Sequence, residues 1–206
     1  MILYAISDRR LAPRGDLLLQ ASGLIRAGID WLQIREKDLP DRTLFQVLKA
    51  LVPEARRFGA VLLVNGRPDL AAAAGASGVH LPSSGLPTAE VRRAFPPPFV
   101  IVRSCHGEED LARAEEEGAD AAVFGPVYAT PSKAPFGPPL GVDRLREACA
   151  AVRMPVLALG GISRERLGEA RDAGAAGVAA IRLFCSMGNP ISELPALRAS
   201  LAGRAQ

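Results

Sequence analysis

One short pattern recurs along the chain, and it limits the folds available more than any other feature. The stretches AGIDWLQIRE at 27–36, AGASGVHL at 74–81, EGADAAVFG at 117–125 and AGAAGVAAI at 173–181 share it. Each runs from a small or acidic residue to a glycine and then into a few apolar residues. A glycine just past a helix accepts the left-handed turn that ends the helix. The apolar run after it is too short for a helix and too continuous for a strand exposed on one face. Strands buried on both faces belong to parallel sheets, so the unit is helix, glycine, parallel strand.

Four more apolar runs alternate with these: ILYAIS at 2–7, VLLVN at 61–65, FVIVRS at 99–104 and PVLALG at 155–160. Between them lie amphipathic segments. Residues 41–57 place Leu44, Val47, Leu48 and Leu51 on one helical stripe, and 107–118 open with acids that suit a helix N-terminus. Eight strand–helix units in 206 residues predict an α/β chain folded as a single-domain (βα)8 TIM barrel over 1–206. A doubly wound open sheet is the structural rival. The longest connection, PVYATPSKAPFGPPLG at 126–141, follows the sixth strand and has the length of a binding loop or lid.

Composition excludes several functions. Hydrophobic residues make up 49% and charged residues 23% of the chain, and no apolar run approaches membrane-spanning length. A net charge of +3 is too small to argue for nucleic acid. Cys105, Cys149 and Cys185 have no metal-ligand spacing and build no disulfide framework. The opening MILYAISDRR lacks the order of a signal peptide, so a cytoplasmic protein is expected.

Ligand sites in such barrels lie at the C-terminal strand ends. Those ends read Ser7-Asp8-Arg9, Arg35-Glu36-Lys37, Asn65-Gly66-Arg67, His80 before LPSSG, Arg103-Ser104-Cys105-His106, Gly125-Pro126, Gly160-Gly161 and Ile181-Arg182. Tyr128, Thr130, Ser132 and Lys133 follow in the long loop. Arg35, Lys37, Arg67, Arg103, Lys133 and Arg182 form a set of rim cations that, beside glycine turns, suits a phosphate. Several of them, Arg103 above all, also read as plain solvated loop charges, and His80 reads as structural. A magnesium–diphosphate site needs carboxylates. Gly66 and Gly85 stand where acids would be useful, which leaves Asp8 and Glu36.

These motifs in this order resemble the thiamine phosphate synthase and TenI superfamily: QIREK, VNGRPDLAAAAGASGVHL, SCH, FGPVYATPSK and LGGI, with the strand-eight run. The resemblance implies a (βα)8 barrel. Synthases of that family join a pyrimidine diphosphate to a thiazole phosphate with magnesium, and its TenI branch includes metal-independent thiazole tautomerases. Arg35, Lys37, Asn65, Ser104, Thr130 and Lys133 match phosphate-holding positions, and Gly160 and Gly161 match the turn that receives the thiazole phosphate. Arg67, Ser132 and Arg182 join the expected binding set; Arg182 stands where the family usually has serine. Gly66 and Gly85 replace the synthases' two magnesium-binding aspartates, which resembles the TenI branch. Pro126 instead resembles the synthases, because the known tautomerase has a histidine there.

The expectation is therefore a thiamine-biosynthesis protein of the thiazole branch, a tautomerase (isomerase) without metal or other cofactor. Its acid–base residue would be His106 or Cys105, with Glu36 and Tyr128 behind them. One alternative is a thiamine phosphate synthase, a transferase with magnesium. Another is a non-catalytic ligand-binding or regulatory protein. The expected partner is a small phosphorylated thiazole, with no nucleic acid or membrane; a homodimer is compatible with this reading.

Overall fold

A computed structural model describes residues 1–130 and 138–202. Its strands are β1 (Ile2–Ile6), β2 (Trp31–Ile34), β3 (Val61–Asn65), β4 (Gly78–Leu81), β5 (Val100–Cys105), β6 (Ala121–Phe124), β7 (Val156–Leu159) and β8 (Gly177–Ala180). They pair in sequence order into a closed barrel. The helices between them are α1 (Leu17–Arg26), α2 (Asp41–Phe58), α3 (Pro68–Ala74), α4 (Thr88–Ala94), α5 (Glu108–Glu116), α6 (Gly141–Ala151) and α7 (Leu167–Asp172). A short α8 (Arg182–Cys185) and α9 (Pro190–Ala202) follow β8. The expected parallel eight-strand barrel is the fold, and the open sheet is excluded.

The chain divides into two compact units. One holds residues Leu3–Val79 and those from Ile181 on. Here β2 pairs in parallel with β1 and β3, with Gln33 opposite Ile6 on one side and Leu63 on the other. Helix α1 starts where the Asp16 carboxylate accepts from Leu19 N at 3.0 Å. Helix α2 buries Leu44, Leu48, Leu51, Val52 and Ala55. That is the i, i+4 stripe read from the sequence, except that Val47 is only half-buried. Each fully buried leucine adds roughly 1.5–3 kcal/mol. Gly59, at φ 73°, ends α2 in the left-handed conformation.

The other unit holds Met1–Ile2 and His80–Ala180. Strands β5 to β8 pair in parallel, with Cys105 opposite Phe124 and Phe124 opposite Ala158. Strands β6 and β8 are buried along their whole length, as the continuous apolar runs demand. Helix α5 carries Glu108, Glu109 and Asp110 in its first turn, where carboxylates offset the orphan amides. Because the strands within each unit are parallel, each unit gathers its own C-terminal strand ends.

Candidate active site at the strand ends

In the first unit the loop after β2 is stapled to the end of β1. Ser7 Oγ donates to Glu36 Oε1 at 2.6 Å and accepts from Arg35 N at 2.9 Å. Glu36, 7% exposed, also accepts from Arg9 N and from Arg9 Nη1, both at 3.2 Å. The Arg9 fork then holds both oxygens of Asp38 at 2.7 Å. Glu36 is thus a structural clamp, with both its oxygens engaged. Successive residues of an extended chain point to opposite sides. With Glu36 turned into the clamp, Arg35 and Lys37 are left out of it. Arg35 is half-buried, Lys37 is exposed, and neither side chain has an ion pair or hydrogen bond among the described residues. The Arg35 charge helps hold the Asp8 carboxyl below the usual carboxylate range, behind the larger effect of the Arg10 guanidinium bound to Asp8.

At the end of β3, Asn65 Oδ1 accepts from Gln33 Nε2 at 3.0 Å. Gln33 Oε1 is buried without a partner. The Asn65 amide nitrogen has no partner among the described residues, so it remains a donor for a ligand oxygen. Arg67 departs from expectation. Its Nε and Nη2 bind Asp69 at 2.9 and 2.7 Å, and Nη1 binds Asp41. Two carboxylates already pair with it, so it braces α2 against α3. Arg182 is exposed at the start of α8, with its side chain unpaired among the described residues.

In the second unit, Ser104 Oγ lies 2.8 Å from Nε2 of His80, which is buried. His106 is exposed, and its Nδ1 lies 2.6 Å from the Gly125 carbonyl oxygen. That oxygen only accepts, so Nδ1 carries a proton. Cys105 overturns its expected role. It is fully buried, and burial, aided by the charge of Asp110, pushes its thiol up to about 12. It stays protonated and inert at neutral pH. Arg103 donates to the Leu86 and Ser83 carbonyls and so holds the loop after β4. Thr130 is half-buried, while Ser132 and Lys133 lie outside the described residues.

Gly160 and Gly161 form a turn that only glycine fits. Their φ values are 95° and 62°. A Cβ on Gly160 would fall 2.6 Å from Pro126 Cα, and one on Gly161 would fall 2.6 Å from Ala129 O. Val127 N donates to Leu159 O at 2.7 Å and Tyr128 N to Gly160 O at 3.0 Å. These bonds tie the strand-six loop to the turn. Consecutive glycines in this conformation make a backbone concavity suited to an anion.

The magnesium that the family resemblance implies does not fit these residues. Gly66 and Gly85 offer no carboxylate, and a Cβ on Gly85 would already press on Pro82 O at 3.0 Å. Glu36 is used by Ser7 and Arg9, and Asp8 by Arg10. No group of three or more His, Cys, Asp or Glu side chains among the described residues is arranged around a common point. Sequence reasoning missed the Ser7–Glu36–Arg9–Asp38 staple. Its signal was the acid–base alternation over 35–38, which marks a loop tied down by its own acids.

The chain is similar in sequence and fold to known proteins. The family profile described as thiamine monophosphate synthase matches residues 3–184. A putative thiamine-phosphate synthase of Geobacter sulfurreducens is 46% identical over 202 residues, covering 98% of this chain and 95% of that one. A thiamine-phosphate synthase of Chlorobium luteolum is 38% identical over 189 residues, covering 92% and 87%. Among solved structures, a thiamine phosphate pyrophosphorylase from Pyrococcus furiosus superposes with a TM-score of 0.86 at 28% identity, covering 98% of this chain and 97% of that one.

Proposed function

We propose that this chain, which belongs to the thiamine monophosphate synthase family, is a transferase of thiamine biosynthesis that joins a pyrimidine diphosphate to a thiazole phosphate. The thiazole ring nitrogen forms a bond to the exocyclic methylene carbon of the pyrimidine. The bond from that carbon to the diphosphate oxygen breaks, and diphosphate leaves with the electron pair. The ring nitrogen ends quaternary and positive, so no proton has to move.

The observation that carries this reading is the pairing state of the cations in the first unit. Arg9, Arg10 and Arg67 are neutralised by carboxylates, whereas Arg35 and Lys37 are not. A half-buried guanidinium with no salt bridge is costly unless a ligand supplies one. A departing diphosphate needs fixed donors where its charge develops, and Arg35 and Lys37 provide them. Asn65 adds a neutral donor. The Gly160–Gly161 turn takes the thiazole phosphate, with Ser104 as a further hydroxyl ligand to phosphate.

Tautomerisation, the activity expected from the sequence, demands a residue that takes and returns a proton. Pro126 and the buried thiol of Cys105 do not supply one. The relatives carry the synthase name, which supports the transferase over the isomerase. One observation favours isomerisation as a second reading: the exposed His106 ring is held through Nδ1 by the Gly125 carbonyl, which leaves Nε2 without a partner among the described residues. A single experiment separates the two. The protein is incubated with thiazole phosphate or with the thiazole carboxylate phosphate tautomer, with and without pyrimidine diphosphate and magnesium, and products are followed by NMR and by thiochrome fluorescence. The transferase forms thiamine phosphate and inorganic diphosphate in equal amounts. Isomerisation of thiazole carboxylate phosphate without any thiamine phosphate would reverse the assignment.

A further inference from the structure

Arg166, half-buried and without a salt bridge among the described residues, stands against the glycine turn of the second unit. Arg166 closes a 3-10 turn, Arg164–Arg166, that leads into α7. Its Nη1 donates to the Gly161 carbonyl at 2.8 Å. Its guanidinium carbon lies 4.6 Å from the centroid of the Tyr128 ring, the geometry of a cation–π contact. Tyr128 is itself fixed through its backbone N–H to Gly160 O at 3.0 Å. Both carbonyls of the turn are therefore held by protein donors, Gly160 by the Tyr128 backbone and Gly161 by the Arg166 side chain, and both residues keep a positive φ.

A glycine pair left to itself moves freely among many conformations. Ordering it only when ligand binds would weaken binding, because the lost entropy would then fall on the complex. Arg166 removes that loss by ordering the turn beforehand. Its remaining N–H groups keep a positive charge beside the turn; that charge also helps hold the neighbouring Glu165 carboxyl below the ordinary range, behind the larger effect of its hydrogen bond from Ser163.

We propose that Arg166, stacked on Tyr128, is the positioning residue of the phosphate-receiving turn: it locks Gly160–Gly161 and so sets the affinity for the phosphate of the thiazole substrate. This rests on the reading above that the turn takes that phosphate. It adds a residue outside the strand ends to the machinery, one whose effect is confined to one of the two substrates.

The test follows the Gly160 and Gly161 amide resonances in 15N-labelled protein during titration with inorganic phosphate, for wild type, Arg166→Ala, Arg166→Lys and Tyr128→Leu. In wild type the two amides shift and saturate. Arg166→Ala is expected to weaken phosphate about tenfold, the loss of one charge-assisted hydrogen bond. Arg166→Lys, which keeps the charge and a donor, recovers most of this, and Tyr128→Leu, which removes the stacking surface and leaves the arginine, gives a smaller loss. In steady-state assays the KM for thiazole phosphate rises in Arg166→Ala while the KM for the pyrimidine diphosphate stays at the wild-type value. Equal phosphate affinity in wild type and all variants overturns the proposal, as does a rise in both KM values together. Wild-type amides that ignore phosphate overturn it as well. Saturable shifts lost in Arg166→Ala, in a protein that makes no thiamine phosphate, would uphold the proposal and sink the transferase reading.

Discussion

The ends of strands two and three look alike in sequence and behave differently in the structure. Each has an arginine at or just past its end with an acid within two residues: Arg35 before Glu36, and Arg67 before Asp69. At the end of β3 the acid turns toward the arginine and a second acid, Asp41, arrives from α2, so Arg67 is spent on holding helices together. At the end of β2 the acid turns away to Ser7 and Arg9, so Arg35 makes no salt bridge among the described residues and acts on Asp8 only at longer range. A charge at a strand end becomes a ligand site only when the chain leaves it unpaired. Neutralisation by a nearby acid, more than exposure, separates a structural arginine from a binding one.

The widest separation is expected from the two alanine variants. Arg35→Ala removes a fork able to make two charge-assisted hydrogen bonds at about 1.5–3 kcal/mol each, so kcat/KM should fall about 100-fold or more. Arg67→Ala should leave kcat/KM within about twofold and cost under about 1 kcal/mol of stability, as surface ion pairs do. Steady-state kinetics and denaturant melts of the same preparations read both values. Lys37→Ala, with one exposed ammonium lost, should reduce kcat/KM about tenfold. A larger loss than for Arg35→Ala would reverse the ranking.

A double variant turns one strand end into the other. Asp41→Asn with Asp69→Asn releases Arg67 from its counter-charges. Inorganic diphosphate should then bind a few-fold more tightly at low salt, with the gain fading as salt screens it. No gain would mean that the freed arginine does not reach the ligand.

The smallest effect expected is on pH dependence. The Arg67 guanidinium holds Asp69 below the ordinary carboxylate range. A depressed folded-state pKa contributes stability above the unfolded value of about 3.9, and that contribution disappears as pH falls through the folded value. Wild type and Asp69→Asn should thus differ slightly in thermal midpoint at pH 7 and converge as pH falls well below the unfolded value of about 3.9. A difference that grows on acidification would contradict the pairing.

Much of the fold was legible because the barrel writes itself into the chain at short range. Glycine followed by a four- or five-residue apolar run identified β2, β4, β6 and β8, and the run at 61–65 coincides with Val61–Asn65. The site was legible in part. Asn65 stands at a strand end in one unit, and Ser104 and the glycine pair stand at strand ends in the other, as the apolar runs placed them. Arg67 was misread because one of its partners, Asp41, is 26 residues away and no local pattern announces it. Cys105 was misread although the information was present. Strand alternation sends Ser104 and Cys105 to opposite faces, and a residue flanked by two site residues belongs to the other side. Arg166 escaped notice because it lies past the glycine turn, on the way into a helix, where strand-end reasoning does not look.

The most direct measurement is calorimetric titration of inorganic diphosphate into wild type, Arg35→Ala and Arg67→Ala at one low ionic strength. Arg35→Ala should lose most of the affinity, and Arg67→Ala should match wild type. Equal losses in the two variants, or none in either, would contradict the claim that the unpaired cations after strand two hold the leaving group.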